Sequence, residues 1–464
     1  MTDMRTKLIA ILFLLPLTTL AQEPATLRLT LQQAQDYAVE HNYAMQNATL
    51  DVQKAEASRW QAISSMLPQV KASFDYQNMC GYEMNLGGRG TSSMMPDSVT
   101  IGGVTMPISF IYNNSGDDNN SSGGIPMNPS GTLGITASVA LTGAQIVSTM
   151  LGKISIDMAD ISRRQTEQTT RANVKSVYTS ILVMEQTVGL LDSSLANMQQ
   201  LLETTEASVR AGAAEQIQAD KLSVQVATLR NSIYSTRRSL TMLYNSLLLQ
   251  LGADINSQLE LTTPIDEVIN IADAAKLTFG GFAIENNYNY QLLEQSEKLS
   301  QRQLTLAWMD FTPTLSAYYQ YSYKTYFGKD AGFNMTPPNM IGASVSLPLF
   351  QSGTRMAKIK GAKIDYQETL NSRQQAEDGL RVQYKQLCYD LITALNSYQV
   401  QRDNLDVTRR VFNNTSEKFK YGHASNLEVT NASTDIITAQ SNYIQACMNV
   451  VSAQVALENL LGNQ

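Results

Sequence analysis

Polar and apolar residues alternate along QVKASFDYQ (Gln69 to Gln77). Val70, Ala72, Phe74 and Tyr76 are apolar or aromatic, and the residues between them are polar. Successive side chains of a strand point to opposite faces, so this period of two predicts a strand with one greasy and one wet face. TLGITASVAL (Thr132 to Leu141) repeats the pattern through Leu133, Ile135, Ala137, Val139 and Leu141. TLSAYYQYSY (Thr314 to Tyr323) and IGASVSL (Ile341 to Leu347) repeat it again. Four strands are expected, over 69–80, 132–142, 314–326 and 339–349. Each is about ten residues long, enough to cross a bilayer at a tilt.

A helical period fills most of the rest. Val174, Val177, Ile181, Met184, Val188, Leu191, Leu195, Met198 and Leu202 recur at alternating steps of three and four. Leu222, Val226, Leu229, Ile233, Thr236, Leu240, Leu243 and Leu247 do the same. Such a heptad seam predicts left-handed coiled-coil packing. Gln145 to Arg210 reads as one helix, about 100 Å long at 1.5 Å per residue.

The pattern is written twice. AVEHNYAMQ (Ala38 to Gln46) resembles AIENNYNYQ (Ala283 to Gln291) at an offset of 245. VRAGAAEQIQADKLS (Val209 to Ser223) resembles KYGHASNLEVTNAS (Lys420 to Ser433) at an offset of 210, which also lays Gly252 on Gly462. Each half begins with a helix (Leu31 to Leu67; Ala274 to Phe311), ended by Pro68 or Pro313 because proline cannot continue it. A strand, a loop and a strand follow, then a long helix, a break at Gly212 or Gly422, and a return helix. The expected division is a first repeat over 22–252 with its tip near 212, a connecting segment over 253–273, and a second repeat over 274–464 with its tip near 422. The excess in the first half falls between Gln77 and Thr132, a stretch rich in Gly, Ser, Asn, Met and Pro that reads as a long, mobile surface loop.

Composition narrows the classes. A net charge of −7 gives no basic patch for nucleic acid. Only 16% of residues are charged, low for a soluble helical protein. A mean hydropathy of −0.19 argues against many membrane helices. Arg5 and Lys7 precede LIAILFLLPL (Leu8 to Leu17), and Thr19 and Ala21 sit where a cleavage signal is read, so residues 1–21 are expected to be a signal peptide. No cysteine follows at once to take a lipid anchor. No other run reaches the ~18 apolar residues that a membrane helix needs, so membrane residence requires a closed barrel. Four strands cannot close one, since eight is about the minimum. Sharing a barrel among copies of the chain removes that obstacle.

Cys80, Cys388 and Cys447 have no metal-type spacing, and with His41 and His423 as the only histidines no catalytic constellation is found. No enzyme activity, cofactor or metal centre is expected. Met79, Cys80, Met84, Met94, Met95, Met106 and Met127 could offer soft sulfur to Cu(I) or Ag(I), but their spacing is irregular and the bland reading is a floppy loop.

The duplicated helix–strand–strand–helix order resembles the outer-membrane efflux proteins of the TolC type. SVSLPLFQSG (Ser344 to Gly353) and the hairpin ends VRAG (Val209 to Gly212) and KYGHASNLEV (Lys420 to Val429) carry the resemblance, which covers nearly the whole mature chain. The first half departs from it with LTGAQ (Leu141 to Gln145) where the second has LPLFQ. The resemblance implies an α+β membrane protein: a long coiled-coil α-helical barrel in the periplasm joined to a transmembrane β-barrel of twelve strands, four from each copy of a homotrimer. It implies a passive exit duct for efflux or type I secretion in the outer membrane. The tunnel tip would dock a periplasmic adaptor, and through it an inner-membrane pump. The competing reading is a periplasmic coiled-coil scaffold with no channel, which leaves the four alternating strands unexplained.

With that orientation Val70, Phe74, Tyr76 and Val139 face lipid, and Lys71, Ser73 and Asp75 line the lumen. The tyrosines from Tyr318 to Tyr326 suit an interfacial girdle, with packing between strands as the alternative for some of them. The family's acidic gate positions, counted from Gly422, fall on Glu428 and Asn431, with Gln218 at the matching place in the first repeat. Three copies of Glu428 would favour cations. Gly212 and Gly422 read as turn residues, and with Ala213 and His423 they mark the expected adaptor contact. A charge placed at Phe74 or Val139 should block assembly into the membrane, whereas Ser73→Asp should be tolerated. The yield of membrane-assembled protein checks this, and equal tolerance of charge on both faces would refute the orientation.

Overall fold

The computed structural model describes residues 26–80, 83–84, 98–101, 104–107, 125–126, 128–268, 271–327 and 337–462. The expected signal peptide over 1–21 and most of the expected surface loop after Gln77 lie outside the described residues. In chain order the elements are β1 (Thr26–Leu29), α1 (Leu31–His41), α2 (Tyr43–Ser64) and β2 (Gln69–Gln77). Four short strands follow, β3 (Glu83–Met84), β4 (Ser98–Ile101), β5 (Val104–Pro107) and β6 (Ile125–Pro126). Then come β7 (Ser130–Leu141), α3 (Gly143–Arg210), α4 (Gln216–Leu251), β8 (Gln258–Leu261), α5 (Ile265–Val268) and α6 (Ile271–Phe279). The second half ends with α7 (Tyr288–Met309), β9 (Thr314–Tyr326), β10 (Asn339–Ser346), α8 (Thr354–Lys420) and α9 (Asn426–Leu461). Two compact units result. One comprises Met1–Arg59, Met150–Ala307 and Met356–Gln464, and the other Trp60–Thr149 and Trp308–Arg355.

The second unit is built on a four-stranded antiparallel sheet of order β10-β9-β7-β2. The sequence expected strands over 69–80, 132–142 and 339–349, and the observed ends differ. β2 stops at Gln77 because the Asn78 side chain takes the Cys80 N–H at 2.9 Å and turns the chain. β7 starts at Ser130, just after Pro129, and β10 stops at Ser346, just before Pro348, since proline cannot donate to a ladder. The departure LTGAQ has a local reason. Thr142 accepts the Gln145 N–H at 3.1 Å while the Gln145 side chain accepts the Thr142 N–H at 2.9 Å, a capping box that starts α3. In LPLFQSG the start of α8 is instead pinned by buried Arg355, which donates to the Pro348 carbonyl at 2.6 Å and lies over the Phe311 ring.

The first unit is helical. Its largest core joins the two hairpins, through Met198 and Leu201 of α3, Leu222 and Leu229 of α4, Phe412 of α8, and Val429 and Ile436 of α9. A second core gathers Ala34, Ala38, Tyr178, Ile181, Leu247 and Leu251. β1 and β8 form a parallel pair beside it, and the Tyr178 hydroxyl donates to the Leu29 carbonyl at 3.0 Å. The segment 253–273, expected only to connect, thus carries a strand and the start of α6.

The helices expected over Leu31–Leu67 and Ala274–Phe311 are both broken. α1 stops at His41 and α2 starts at Tyr43. In the second half α6 is followed by a 3₁₀ turn (Ile284–Asn286) and then α7. The cause is the same in each repeat. The Asn42 side-chain amide donates to the Gln250 carbonyl at 2.6 Å, and that of Asn287 to the Leu460 carbonyl at 2.9 Å. Both carbonyls lie two residues before a left-handed glycine, Gly252 (φ 70) or Gly462 (φ 72), where a Cβ would collide with the backbone oxygen of His41 or Asn286. Each asparagine therefore clamps the entering chain onto the end of its own return helix. Asn42→Ala or Asn287→Ala should destabilise the helical unit by ~1–2 kcal/mol each, read as a lowered midpoint of helical circular dichroism. Gly252→Ala should cost more, because it meets backbone rather than a movable side chain.

Candidate functional site: a two-faced sheet and a pair of hairpin tips

In an antiparallel ladder directly opposed residues share a face. Phe74 opposes Leu133, which opposes Tyr323; Ala72 opposes Ile135, which opposes Tyr321. Val139 opposes Ala317, which opposes Ala343; Leu141 opposes Leu315, which opposes Val345. One face therefore gathers Val70, Phe74 and Tyr76 with Val139 and the apolar residues of every other strand. It is bare: Val70 is 72% exposed, Phe74 68% and Ile341 84%. Water tolerates single exposed apolar side chains but not a continuous face of them.

The opposite face carries Lys71, Ser73 and Asp75 on β2, Thr132, Thr136 and Ser138 on β7, and Ser316, Gln320 and Lys324 on β9. Ser316 and Ser344 hydroxyls pair across β9 and β10 at 2.7 Å. The tyrosines divide. Tyr319, Tyr321 and Tyr323 stand on the apolar face, but Tyr318 and Tyr326 stand on the polar one. A Cβ at Gly342 would sit 2.6 Å from the Tyr318 ring, so that ring lies over the bare glycine of the neighbouring strand. The tyrosine run is thus not one girdle.

At the tip of each hairpin the backbone closes in the same way. Gly212 (φ 74) and Gly422 (φ 75) take the left-handed conformation. Ala213 N–H donates to the Ser208 carbonyl at 2.9 Å, and His423 N–H to the Lys418 carbonyl at 2.8 Å. Each pair ends its helix as a Schellman turn, which satisfies carbonyls the helix leaves unpaired. Ala213 and His423 hold equivalent, exposed places.

The starts of the return helices differ. Glu215 precedes α4 without a side-chain cap. Ser425 caps α9: its hydroxyl accepts the Glu428 N–H, and the Glu428 carboxylate accepts the Ser425 N–H at 2.7 Å. The expected gate residue Glu428 is therefore exposed but aimed at the first turn of its own helix, where its charge meets the positive end of the helix dipole. Asn431 is exposed one turn on, and Asp435 is exposed one turn further along the same face. Asp435 escaped the sequence reading, although its seven-residue spacing from Glu428 was visible. Gln218 is half-buried, and its backbone carbonyl accepts the Asn426 side-chain amide at 2.8 Å. Buried Asn426 thus fastens the tip of the second hairpin to that of the first. The serine-to-glutamate spacing of the cap was legible; a tie across two repeats was not.

In Tyr244 and Cys447 of the helical unit burial is the largest cause of the shift. Burial, with help from the Glu185 carboxylate that accepts its hydroxyl at 2.5 Å, holds Tyr244 protonated. Burial pushes the Cys447 thiol up to about 11, which keeps it a neutral, unreactive thiol.

Comparison with known proteins agrees with this geometry. Residues 282–463 match the family model described as outer membrane efflux protein. Over 138 residues the chain is 28% identical to the outer membrane efflux protein BepC of Brucella suis biovar 1, a match spanning 30% of either chain. The outer-membrane channel OprN is similar in structure with a TM-score of 0.68 at 14% identity, covering 94% of this chain and 90% of that one. CusC reaches a TM-score of 0.70 at 15% identity, covering 96% of each chain. The fold is that of the outer-membrane efflux channels, with helical and strand parts in the order the duplication lays down.

Asn426→Ala should speed amide exchange in the first turn of α4 roughly fivefold, as expected for loss of ~1 kcal/mol of local support. Ser425→Ala should instead loosen only the start of α9. Hydrogen-exchange mass spectrometry distinguishes the two.

Proposed function

We propose that the chain is the exit duct of a tripartite efflux or type I secretion system, resident in the outer membrane. Three copies close a barrel of twelve strands, and their hairpins form a periplasmic tunnel. A periplasmic adaptor meets the tips around Gly212, Ala213, Gly422 and His423 and joins them to an inner-membrane pump, which supplies the energy. The observation that carries this reading is the sheet: a continuous, bare apolar face, a polar opposite face, and two free edges. Lipid on the first face, water on the second and a neighbouring copy at each edge satisfy all three at once.

In this assembly Val70, Phe74, Tyr76 and Val139 contact lipid, while Lys71, Ser73 and Asp75 line the water-filled path. Glu428 and Asp435, repeated three times, bias the tunnel tip towards cations; Asn431 and Gln218 add polar but neutral groups to it. Glu428 is poised between two roles, since opening the tip can withdraw it from the Ser425 cap. The duct does no chemistry of its own and needs no cofactor.

The test is the native mass of protein extracted from outer-membrane fractions with mild detergent, with a salt wash as control. A trimer that requires detergent is expected, and in planar bilayers Glu428→Gln should lower its cation preference. Release of a monomer or dimer by salt would leave the scaffold reading standing instead.

A further inference from the structure

A groove on the helical unit is left unused by the duct reading. It lies between α3, α4 and α9 and holds about 520 Å³. Met184, Met242 and Met448 line it together with Leu243, and Arg238, Ser235 and Ser239 complete the lining. Methionine side chains are flexible and polarizable, so a surface of them adapts to apolar chains of varied shape. Met242 is 67% exposed, although it is on a helix that buries Leu222, Leu229 and Leu247 completely or nearly so.

The charge beside this apolar floor is positive and free. Among the described residues Arg238 has no hydrogen-bond or ion-pair partner, while its neighbour Arg237 is paired with Asp192 at 2.8 Å. Glu185, which follows Met184 on α3, already accepts the Tyr244 hydroxyl. α4 as a whole carries Lys221, Arg230, Arg237 and Arg238 against Asp220 alone, in a chain of net charge −7. Three thioethers by themselves would suit a soft cation, but a guanidinium in the same lining repels one.

We infer that this groove binds medium-chain alkyl carboxylates. The alkyl chain lies along Met184, Met242 and Met448. The carboxylate meets the Arg238 guanidinium in a charge-assisted pair, with the Ser235 and Ser239 hydroxyls as further donors. This places a ligand site on the helical unit that does not depend on conduction.

The test uses the full chain, labelled with [methyl-¹³C]methionine and held in lipid nanodiscs, with the groove resonances assigned by Met184→Leu, Met242→Leu and Met448→Leu. Titration with decanoate should shift those methyl signals saturably and leave the other methionines unmoved. Arg238→Gln should weaken the response about tenfold, whereas Arg238→Lys should retain most of it. Decyltrimethylammonium, with the same chain and the opposite charge, should give no saturable shift. Absence of a decanoate response, an equal response to the cation, or indifference to Arg238→Gln in a protein of unchanged thermal stability would each overturn the inference. None of these outcomes bears on whether the protein conducts, so the duct reading stands or falls separately.

Discussion

The backbone hydrogen bonds at the two edges of the sheet govern the rest of the molecule. In the order β10-β9-β7-β2 the inner strands are paired on both sides, while among the described residues β2 and β10 each offer a free row of N–H and C=O groups. In water such a row is an invitation to aggregate; in hydrocarbon each unpaired group costs several kcal/mol. The side chains make retreat into water no easier, because the register gathers the apolar residues of all four strands onto one exposed face. A single copy can therefore satisfy its backbone or its side chains, but not both. The assembly proposed above joins β2 of one copy to β10 of the next, which would settle the two demands together and leave the polar residues around an enclosed, wet interior.

Much of this was legible in the sequence because it depends on local periods. Alternation gave the four strands, and Pro68, Pro129, Pro313 and Pro348 punctuate their neighbourhood. The duplication was legible in HNY and NNY, yet the meaning of those letters was not. Asn42 and Asn287 break their helices only because a carbonyl more than 170 residues away accepts their amides. No local propensity signals such a partner; asparagine within a helical pattern is merely unfavourable. The β1–β8 pair was missed for a similar reason. TLRL and QLEL have four residues each, and their parallel pairing joins the start of the first repeat to the segment between the repeats.

At the tips the glycines are legible in the sequence, whereas the bonding of their neighbours is not. A glycine that ends a helix leaves a clear trace, since few other residues accept a positive φ. A carboxylate leaves an ambiguous one. Glu428 reads equally as a channel charge and as the last member of a capping box, and its geometry in the isolated chain is that of the cap. The asymmetry between the hairpins follows. α9 is capped and α4 is not, and Asn426 lends the weaker start a bond from the stronger one.

The asparagine clamps also set a length standard. Each return helix runs from the residues just after a Schellman turn to an asparagine clamp, and α4 and α9 are both 36 residues long. The long outgoing helices differ by one residue, at 68 and 67. One residue more or less in either return helix would displace its tip by about 1.5 Å and rotate it by about 100°. The Asn426–Gln218 tie would then miss its partner. The two halves of the gene are free to drift in side chains but not in helical length: a change of reach in one hairpin survives only if the other makes the same change.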